Sequence, residues 1–525
     1  MSKKGLNRRE FLKYSSLALA GGYAGLSSAK AAAGMMGGGG GMGGSGGMGG
    51  GGGSVIDPPV GGPFRDIPVL QNMSQEQGIV EVGLEAMRAP VGVNGVTANL
   101  LTYNGLFPGG TIRARTGDLL RIRFHNGLPD DGSLNYLGHP MHVTNLHTHG
   151  LHVTPGDNEN GTHGDNMLVM LQPGESAVYE YDLSRHYPGT LNFYHPHIHG
   201  SVTDQMWGGM AGCLVVEDEV ASLAPYETHI MMLKDITLSG AEPAPHTSMM
   251  QYMHGMEGNT VMVNGTVNPR LSIKAGQVQR WRIVNSCTAR FFRLSLSSHT
   301  MYLVGTEGGL LDKPYAVSEL LLSPGERVDV LVKAVKASGS YKFLSLPYSR
   351  MGNMGGQQVT LATLTYSGRQ VQSLPAEVDP SARRVSMDTS TLRRKTITLS
   401  MGQGAGYING ITFVDHMHCY TAMSKVGDWE VWEIINESGM DHPFHHHINS
   451  AQVLSITGGD AKYAALCTTT PAWKDVTIVP KWGRVRLLMP VMDYPGMAMF
   501  HCHIIEHEDI GMMGMWHLMG GMDEM

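Results

Sequence analysis

Hydrophobic positions along the chain fall mainly into short runs in which apolar and polar side chains alternate. In residues 119–124, Leu120 and Ile122 alternate with Arg121 and Arg123. A period of two places apolar side chains on one face of a β-strand. Similar short runs, rich in valine, leucine and aromatic residues, occupy residues 177–181, 214–217, 328–332 and 485–489. Helical periodicity is scarce, so the pattern predicts an all-β protein.

One block of sequence features occurs three times along the chain. Each copy opens with an Asn-Gly pair, which is typical of a tight turn, and leads into an alternating strand that ends at a second Asn. The opening and closing residues are Asn104 and Asn126, Asn264 and Asn285, and Asn409 and Asn436. The repeat and the chain length predict three consecutive β-sandwich domains, which we place at residues 64–220, 221–375 and 376–525.

The densest group of metal-binding residue types is the run His501-Cys502-His503, followed by His507 and Met512. If the run is a strand, His501 and His503 lie on one face and Cys502 on the other, so one segment can serve two metal sites. Two imidazoles, a thiolate and a weak axial thioether form the blue-copper electron-transfer site. Zinc does no redox chemistry and has no use for a thiolate joined to an imidazole cluster. The pattern therefore favours copper.

Three more His-x-His pairs accompany this run. They are His147 and His149, His195 and His197, and His445 and His447. His442, shortly before the last pair, is the expected second imidazole of the blue-copper site. A single pair of this kind is often a coincidence, but four pairs form an organised supply of ligands.

The four motifs, in this order, resemble those of multicopper oxidases of the three-domain, laccase-like kind, and the final motif is most similar to that of bacterial cuprous oxidases. The resemblance implies three cupredoxin-like Greek-key domains and four copper ions. It also implies that electrons pass from the type 1 copper through Cys502 to a three-copper cluster, where O2 is reduced to water. The implied ligands are His442, Cys502, His507 and Met512 for type 1, His147 and His445 for type 2, and His149, His195, His197, His447, His501 and His503 for type 3.

Two residues between the ligands depart from the family pattern. Thr148 stands where Trp is common, and His446 stands where an apolar residue is common. Neither change removes a ligand. We predict that His446, like His152, His163 and His199, does not bind copper directly.

Oxygen reduction consumes protons, so a titratable group must lie near the cluster. Glu508 follows His507 directly and matches the acidic position that cuprous oxidases use for proton delivery. Asp157, in the loop after His149, is a second candidate, although this loop does not align cleanly with that of the family. The alternative for either residue is a solvated loop carboxylate.

The start of the chain predicts export. Residues 7–13 contain an Arg pair and precede a short apolar stretch and the small residues 29–34, which is the layout of a cleavable twin-arginine signal over residues 1–33. Asn7 stands where Ser or Thr is usual. The signal implies the twin-arginine export machinery and a periplasmic or secreted bacterial protein. Residues 34–63 begin as an almost pure glycine segment with four methionines and are predicted to be a linker, with copper(I) binding as the alternative.

Removal of residues 1–33 takes away six basic residues and one acidic residue, which moves the formal net charge from −7 to −12. An acidic protein is not expected to bind nucleic acid, because that requires a basic patch. No later stretch approaches the roughly 18 apolar residues of a membrane-spanning helix. Metal cations and neutral phenols are compatible substrates.

The four cysteines other than Cys502 could form up to two disulfides in an oxidising compartment. They are Cys213, Cys287, Cys419 and Cys467. Cys213 lies in an apolar strand and is expected to be buried and unpaired.

Substrate preference depends on the methionines, of which the chain has 37. Met249, Met250, Met253 and Met256 recur at the spacing of one face of a short helix. Methionine is a flexible core filler, but it is also a soft ligand for copper(I).

Met440 favours the copper(I) interpretation. It lies two residues before His442, where cuprous oxidases have a thioether that leads to the type 1 copper. The acidic residue that accompanies it in that group is Ser438 here, with Asp441 nearby. We therefore expect an oxidase that couples one-electron oxidation of copper(I), and more slowly of phenols or aromatic amines, to four-electron reduction of O2, with copper tolerance as its task.

Two alternatives remain open. The first is a laccase whose pocket favours aromatic reductants, and other low-valent metal ions could also serve. The second, from another class, is a periplasmic protein that binds or sequesters copper while its oxidase sites stay idle; complete ligand sets argue against it. Copper nitrite reductase is disfavoured because those enzymes have two domains per chain and lack this three-copper set.

Overall fold

The computed structural model describes residues 55–352 and 356–520, which form three β-domains in chain order. The predicted signal and residues 34–54 of the predicted linker lie outside the described residues. The domain boundaries predicted from the sequence stay a prediction.

The first domain packs two four-stranded sheets against each other. Its elements are β2 (Ile79–Val93), β3 (Val96–Tyr103), β4 (Gly109–Ala114), β5 (Leu119–Asn126), β6 (His147–His149), β7 (Ser176–Asp182), β8 (Leu191–His195), α1 (Val202–Gly208) and β9 (Gly212–Val216). The strand orders are β3-β2-β5-β7 and β4-β9-β8-β6. A buried core of aliphatic and tyrosine side chains fills the space between the sheets.

The second domain packs two six-stranded sheets. Its elements are β10 (Glu227–Ile236), β11 (Leu238–Ser239), β12 (Glu242–Pro243), α2 (Met249–His254), β13 (Thr260–Val263), β14 (Arg270–Ala275), β15 (Val278–Asn285), β16 (Phe292–Leu296), β17 (Met301–Thr306), β18 (Gly309–Val317), β19 (Leu320–Leu322), β20 (Arg327–Lys333), β21 (Ser340–Leu346) and β22 (Gln358–Arg369). One sheet has the order β13-β10-β15-β20-β17-β18. The other joins β16, β19 and β21 to β22, which also pairs with β14 and with the sixth strand, β1 (Val55–Ile56).

The third domain packs two five-stranded sheets. Its elements are β23 (Arg393–Gly402), β24 (Ala405–Ile408), β25 (Tyr420–Lys425), β26 (Trp429–Asn436), β27 (His442–His446), β28 (Gln452–Thr457), α3 (Ala461–Thr469), β29 (Val476–Val479), β30 (Arg484–Pro490), β31 (Gly496–Cys502), α4 (Ile505–Asp509) and β32 (Met513–Met519). The strand orders are β24-β23-β26-β30-β28 and β25-β32-β31-β27-β29. The second of these sheets carries four of the predicted copper ligands, His442, His445, His501 and Cys502.

The threefold repeat has a common structural cause. In each domain the Asn of the Asn-Gly pair adopts a positive φ, and its side chain bridges two residues of the neighbouring strand. Asn104 accepts from the Glu85 amide at 2.7 Å and donates to the Gly83 carbonyl at 2.9 Å. Asn264 and Asn409 make the equivalent pairs of bonds in the other two domains. The repeated Asn-Gly pairs therefore fix one turn against one strand three times, which confirms the three-domain fold.

The observed strands extend the predicted ones by one or two residues at most ends. β5, β7, β20 and β30 contain the predicted runs completely, and β9 begins two residues before its predicted run and ends one residue before it. The predicted methionine-rich helix forms as α2 and contains Met249, Met250 and Met253, whereas Met256 lies two residues beyond its end. Local alternation of apolar and polar positions was sufficient to find these elements.

Part of the predicted linker is structured. Residues 55–63 run along the second domain, where β1 (Val55–Ile56) pairs in parallel with β22. The Gly61 amide donates to the Asn268 carbonyl at 2.8 Å, and a Cβ at Gly61 would lie 2.3 Å from the Val267 carbonyl oxygen. Sequence composition alone gave no signal for this docking, because the contacts are with residues about 200 to 300 positions away.

Candidate metal centre

The predicted ligands of the third domain come together because three strands run side by side. β27 pairs with β29 on one side and with β31 on the other, and the β27–β31 register places His445 opposite His501 and Phe444 opposite Cys502. Alternation along β31 then directs Cys502 into the core of the domain, next to Phe500 and Phe444. His501 points to the other face, as the sequence predicts.

The first domain presents its own histidines to that second face. β6 pairs with β8, so that His147 lies opposite His195. Imidazole rings from the two domains then stack across the interface: the His147 and His447 ring centres are 4.2 Å apart, and those of His149 and His445 are 3.8 Å apart. The two domains thus close around one buried group of imidazoles.

Eight imidazoles form this group, which we call the histidine cluster. Its members are His147, His149, His195, His197, His445, His447, His501 and His503, all with at most 2 % of their surface exposed. Ring nitrogens within 4.8 Å of one another form three sets. They are His147, His149 and His445; His149, His195 and His503; and His197, His447 and His501.

A separate group, which we call the Cys502 site, consists of His442, Cys502 and His507. The two Nδ1 atoms are 3.2 Å apart, and each lies 3.4 Å from the Cys502 Sγ. Three donor atoms so spaced match the ligands of one metal ion held by bonds of about 2 Å. All three side chains are completely buried.

Met512 is held beside the Cys502 site by its backbone. Its amide donates to the His507 carbonyl at 2.9 Å, and its carbonyl accepts from the Cys502 amide at 3.1 Å. Gly406 leaves the room for it, because a Cβ at Gly406 would lie 2.7 Å from that of Met512. The predicted axial ligand is therefore adjacent to the three predicted equatorial ones.

The donor atoms are chemically suited to a metal. His147, His195 and His445 each use Nδ1 for a bond to protein, to Asp165 at 2.8 Å, the Pro196 carbonyl at 2.8 Å and the Asp475 carbonyl at 3.0 Å. Each leaves a buried Nε2 without a hydrogen-bond partner, which is costly unless a ligand takes it.

Burial also shifts the pKa values of the donor groups. Burial lowers the pKa of His195 and of His442 to about 3, so these imidazoles are neutral and free to bind a cation. Burial raises the pKa of the Cys502 thiol, so its thiolate requires a cation in contact. The residues of both groups therefore fit copper.

Glu508 lies inside the histidine cluster. Its carboxylate oxygens are 3.4 Å from His197 Nδ1 and 3.1 Å from His501 Nδ1, and the side chain is completely buried. Burial raises the pKa of Glu508, but the imidazoles of His197 and His501 outweigh this and lower it to about 2. The side chain that follows His507 is thus directed at the cluster and not at solvent.

Asp157 does not reach the cluster. More than half of its side chain is exposed, and it lies 2.6 Å from His163 Nδ1. Asp165 is the buried carboxylate of this loop: it lies 2.8 Å from His147 Nδ1 and 3.2 Å from His447 Nδ1, so it bridges the first and third domains. The loop reverses direction between the two residues, and sequence spacing alone could not show which aspartate turns inward.

The second domain contributes to the cluster, although it carries none of the paired ligands. Arg327 forms two bonds to the Asp475 carboxylate, at 2.6 and 2.7 Å, and one to the Leu191 carbonyl of the first domain at 2.9 Å. Asp475 in turn lies 3.4 Å from His149 Nε2. One guanidinium therefore joins all three domains directly behind two ligand segments.

The outer edge of the Cys502 site is covered from two sides. His442 Nε2 lies 2.7 Å from the Ser438 hydroxyl, in a turn that Asn436 shapes by donating to the Met440 carbonyl at 2.8 Å. His507 Nε2 lies 3.2 Å from the Met253 carbonyl at the end of α2. The methionine-rich helix of the second domain thus packs over the metal-binding edge of the third.

Met440 and Asp441 occupy different surroundings. Met440 is buried in the core around Cys502. The Asp441 carboxylate accepts from the Tyr348 hydroxyl at 2.5 Å and from the Lys481 amide at 2.8 Å, and burial raises its pKa. Asp441 is therefore oriented toward the second domain, while Ser438 takes the position next to His442.

The other histidines and the cysteines behave as separate residues. Among the described residues, His152, His163, His199 and His446 belong to none of the donor sets with three members. No cysteine in residues 55–352 and 356–520 is in a disulfide, so the bridges considered from the sequence do not form. Cys213 is buried, as predicted, whereas Cys419 is partly exposed.

Comparisons with known proteins agree with this geometry. Three profiles of the multicopper oxidase family match residues 86–221, 226–369 and 381–518. A multicopper oxidase of Staphylococcus haemolyticus is 28 % identical over 426 residues, which cover 79 % of this chain and 83 % of that protein. A laccase of Bacillus subtilis is 26 % identical over 493 residues, which cover 84 % of this chain and 94 % of that protein.

Solved structures show the same fold. A multicopper oxidase from Campylobacter jejuni, described as a metallo-oxidase, superposes with a TM-score of 0.74 at 28 % identity and covers 89 % of this chain and 98 % of its own. Members of the family bind four copper ions, and the Cys502 site and the histidine cluster supply the matching donors. The chain belongs to the multicopper oxidase family and is an oxidoreductase that uses O2 as electron acceptor.

Proposed function

We propose that this multicopper oxidase uses copper(I) as its preferred reductant and oxidises phenols and aromatic amines more slowly. The observation that carries the proposal is the cover over the Cys502 site. Both outward imidazole nitrogens are capped, one by Ser438 and one by the carbonyl of Met253 in the methionine-rich helix. An ion held by thioethers can deliver an electron through such a cover, whereas an aromatic ring would have to displace it to reach an imidazole edge.

The resident coppers are assigned by donor set. We assign type 1 copper to His442, Cys502 and His507 with Met512 axial, type 2 to His147 and His445, and type 3 to His149, His195 and His503 together with His197, His447 and His501. When bound, copper supplies the one-electron acceptor and the oxygen-reducing chemistry. Cys502 and its two neighbouring histidines join the two sites through one stretch of backbone.

The methionines of α2 support a soft metal ion as substrate. Met250 is 61 % exposed, Met249, Met253 and Met256 are half-buried, and all four belong to one short segment at the edge of the Cys502 site. Met249 packs against Gly404 of the third domain. Thioether sulfur is a preferred ligand of copper(I), and Met250 offers it at the surface.

The turn at residues 436–442 supports the same substrate from the other side. Met440 is buried between Asn436 and His442, and Ser438 has the position next to His442 where cuprous oxidases have an acidic residue. The Ser438 hydroxyl can orient the His442 imidazole, but it carries no negative charge that would attract a cation. We therefore expect weaker attraction of copper(I) here than a carboxylate would provide.

Glu508 is the proposed proton donor to the oxygen-reducing site, and Asp165 takes the second role for which Asp157 was considered. Both carboxylates are buried and in contact with cluster imidazoles, which is the proximity that general acid–base catalysis needs.

The residues at the chain start support twin-arginine export to the periplasm or beyond. There, oxidation of copper(I) would serve copper tolerance. Among the described residues, none of the helices is long and apolar enough to span a membrane.

The proposal is tested by changing Ser438. Ser438→Asp adds the missing carboxylate and should lower the KM for copper(I) by about tenfold, the effect of 1.4 kcal/mol, while the KM for a neutral phenol stays the same. Ser438→Asn is the matched neutral control and should leave the KM for copper(I) high. Equal effects of both variants on both reductants would exclude copper(I) docking next to His442 and favour a laccase.

A further inference from the structure

A second group of soft metal donors lies on the opposite side of the third domain's ligand-bearing sheet from the Cys502 core. We call it the sulfur cluster. Its buried methionines are Met167, Met499, Met513 and Met515, which contact one another together with Phe413, and Cys419 packs against them. None of these residues belongs to the Cys502 site or to the histidine cluster.

Strand pairing brings the sulfurs together. Met499 on β31 lies directly opposite Met515 on β32, and Met513 shares a face of β32 with Met515. Met167 approaches from the first domain, where its carbonyl accepts from Asn145 at 3.2 Å. Met499 also shares a face of β31 with His501, so the sulfur cluster lies beside the histidine cluster.

Cys419 opens this cluster to solvent. It is the one partly exposed cysteine in the described parts of the chain, since Cys213, Cys287, Cys467 and Cys502 are buried. Its thiol donates to the His416 carbonyl at 3.7 Å and also lies 3.9 Å from the Thr421 hydroxyl.

The segment before Cys419 adds further ligand types at the surface. Residues 415–419 read Asp-His-Met-His-Cys. Met417 is 75 % exposed, and the His418 side chain is 74 % exposed and lies 3.0 Å from Asp415. Met417 and His418 therefore offer donors at the surface, and Cys419 and the four methionines of the sulfur cluster offer donors below it.

We propose that Cys419 and the methionines of the sulfur cluster bind one copper(I) ion, in addition to the four resident coppers and at a place separate from α2. Thiolate and thioether sulfur select monovalent copper. On binding, the Cys419 thiol loses its proton to water as the sulfur–copper bond forms, and no electron is transferred. This site is distinct from the proposed site of substrate oxidation, because it would hold its ion on the face of β31 that also carries His501.

The test uses the copper-loaded full-length protein and silver(I), a monovalent ion with the same preference for sulfur that cannot be oxidised by the enzyme. N-ethylmaleimide should label Cys419 alone in the native protein, as peptide mass spectrometry would show. When the silver(I) concentration exceeds the Kd of the site about tenfold, silver nitrate should slow this labelling by at least about tenfold. In the Met499→Leu/Met515→Leu double variant, which conserves volume, the protection should be lost.

Two controls separate this site from the rest of the enzyme. Met253→Leu, which alters the proposed substrate entrance on α2, should leave the protection of Cys419 intact, so failure of the copper(I) oxidase proposal would not affect this result. Blue absorption and circular dichroism should show that the double variant is folded. Labelling that silver does not slow, or that it slows equally in the double variant, would overturn the proposal.

Discussion

Glu508 and Asp165 are two buried carboxylates that contact the histidine cluster in different ways. Asp165 lies within hydrogen-bond distance of two imidazoles, His147 and His447, so it orients ligands from two domains at once. Glu508 approaches His197 and His501 without a hydrogen-bond partner for either oxygen. The low pKa of Glu508 keeps its carboxylate ionised in the protein without copper, so we propose that it takes each proton from water and passes it to the cluster, whereas Asp165 orients ligands.

Glu508→Gln should lower kcat for O2 reduction by about 100-fold or more, the lower range of general acid–base effects, because the amide cannot carry the proton. Blue absorption should persist, since the Cys502 site is unchanged. Asp157→Asn, at an exposed carboxylate, is the control and should change kcat by less than about twofold. Turnover of the Gln variant at the wild-type rate would remove Glu508 from proton delivery.

Helix α2 has only six residues, and the side chains of Glu506 and Arg350 hold the segment that follows it in place. The Glu506 carboxylate, next to His507 in α4, accepts from the Met256 amide at 2.8 Å and from the Thr288 hydroxyl at 3.2 Å. Arg350 donates to the carbonyls of Gly255 and Ala289 at 3.1 and 2.9 Å. The segment that directly follows the helix is therefore fixed beside the Cys502 site by residues of the second and third domains.

The Met249→Leu/Met253→Leu double variant should lower kcat/KM for copper(I) by at least about tenfold, because it removes two thioethers while conserving volume. Oxidation of a phenol should be unchanged, since Leu offers the same cover. Met423→Leu, at an exposed methionine of β25, is the control for methionine loss in general. A parallel fall with both reductants would mean that the helix acts only in packing.

At the scale of secondary-structure elements, the sequence predicted which elements form but not where α2 lies. The strands and α2 were visible because apolar periodicity and Asn-Gly turns are local signals. The position of α2 over His507 was not visible, because it depends on Glu506 and Arg350, which lie far from the helix in sequence. The inward turn of Asp165 was missed for the same reason.

The whole molecule is tied together behind the histidine cluster by a network of buried charges. Arg327 pairs with Asp475, and nearby Lys474 lies 2.8 Å from both Glu307 and Glu326. These side chains come from the second and third domains and are almost completely buried. Paired charges of this kind resist separation of domains, because breaking a pair leaves a charge uncompensated.

Arg327→Met should destabilise the protein by about 3–5 kcal/mol, the cost of leaving Asp475 buried without its partner. Thermal unfolding would measure the loss. Copper should leave the histidine cluster before the Cys502 site, because Asp475 contacts His149 and His445, so blue absorption should outlast the other coppers. Uniform loss of all coppers would show that Arg327 supports the fold in general and not this cluster.

The copper-free protein should lose stability in acid. Burial places the pKa of His195 and His442 at about 3, below the ordinary value of 6.5, so the unfolded chain binds more protons in that interval. Stability is then fully present above pH 6.5 and falls as the pH drops toward 3, by about 1.4 kcal/mol per pH unit for each such histidine. Urea unfolding at pH 7, 6 and 5 would measure this. Flat stability over that range would contradict neutral, buried imidazoles.

The residues that gather in the Cys502 site and in the histidine cluster could be picked out from the sequence, because the family motifs mark them directly; their binding of copper stays a prediction. The contribution of the second domain did not, because Arg327 carries no motif and gains its role only when Asp475 and Leu191 meet it in space. Exposure of Cys419 was equally hidden in the sequence, which set only Cys213 apart from the other non-ligand cysteines because Cys213 lies in an apolar strand.

Oxygen uptake by the copper-loaded protein, with buffered copper(I) as sole reductant and a phenol in a parallel run, tests the central claim most directly. We expect rapid uptake with copper(I) at one O2 for every four ions, slower uptake with the phenol, and loss of the copper(I) reaction in Met440→Leu. Uptake with the phenol alone would contradict the account and identify the protein as a laccase. Uptake with neither reductant would indicate a copper-binding protein with idle oxidase sites.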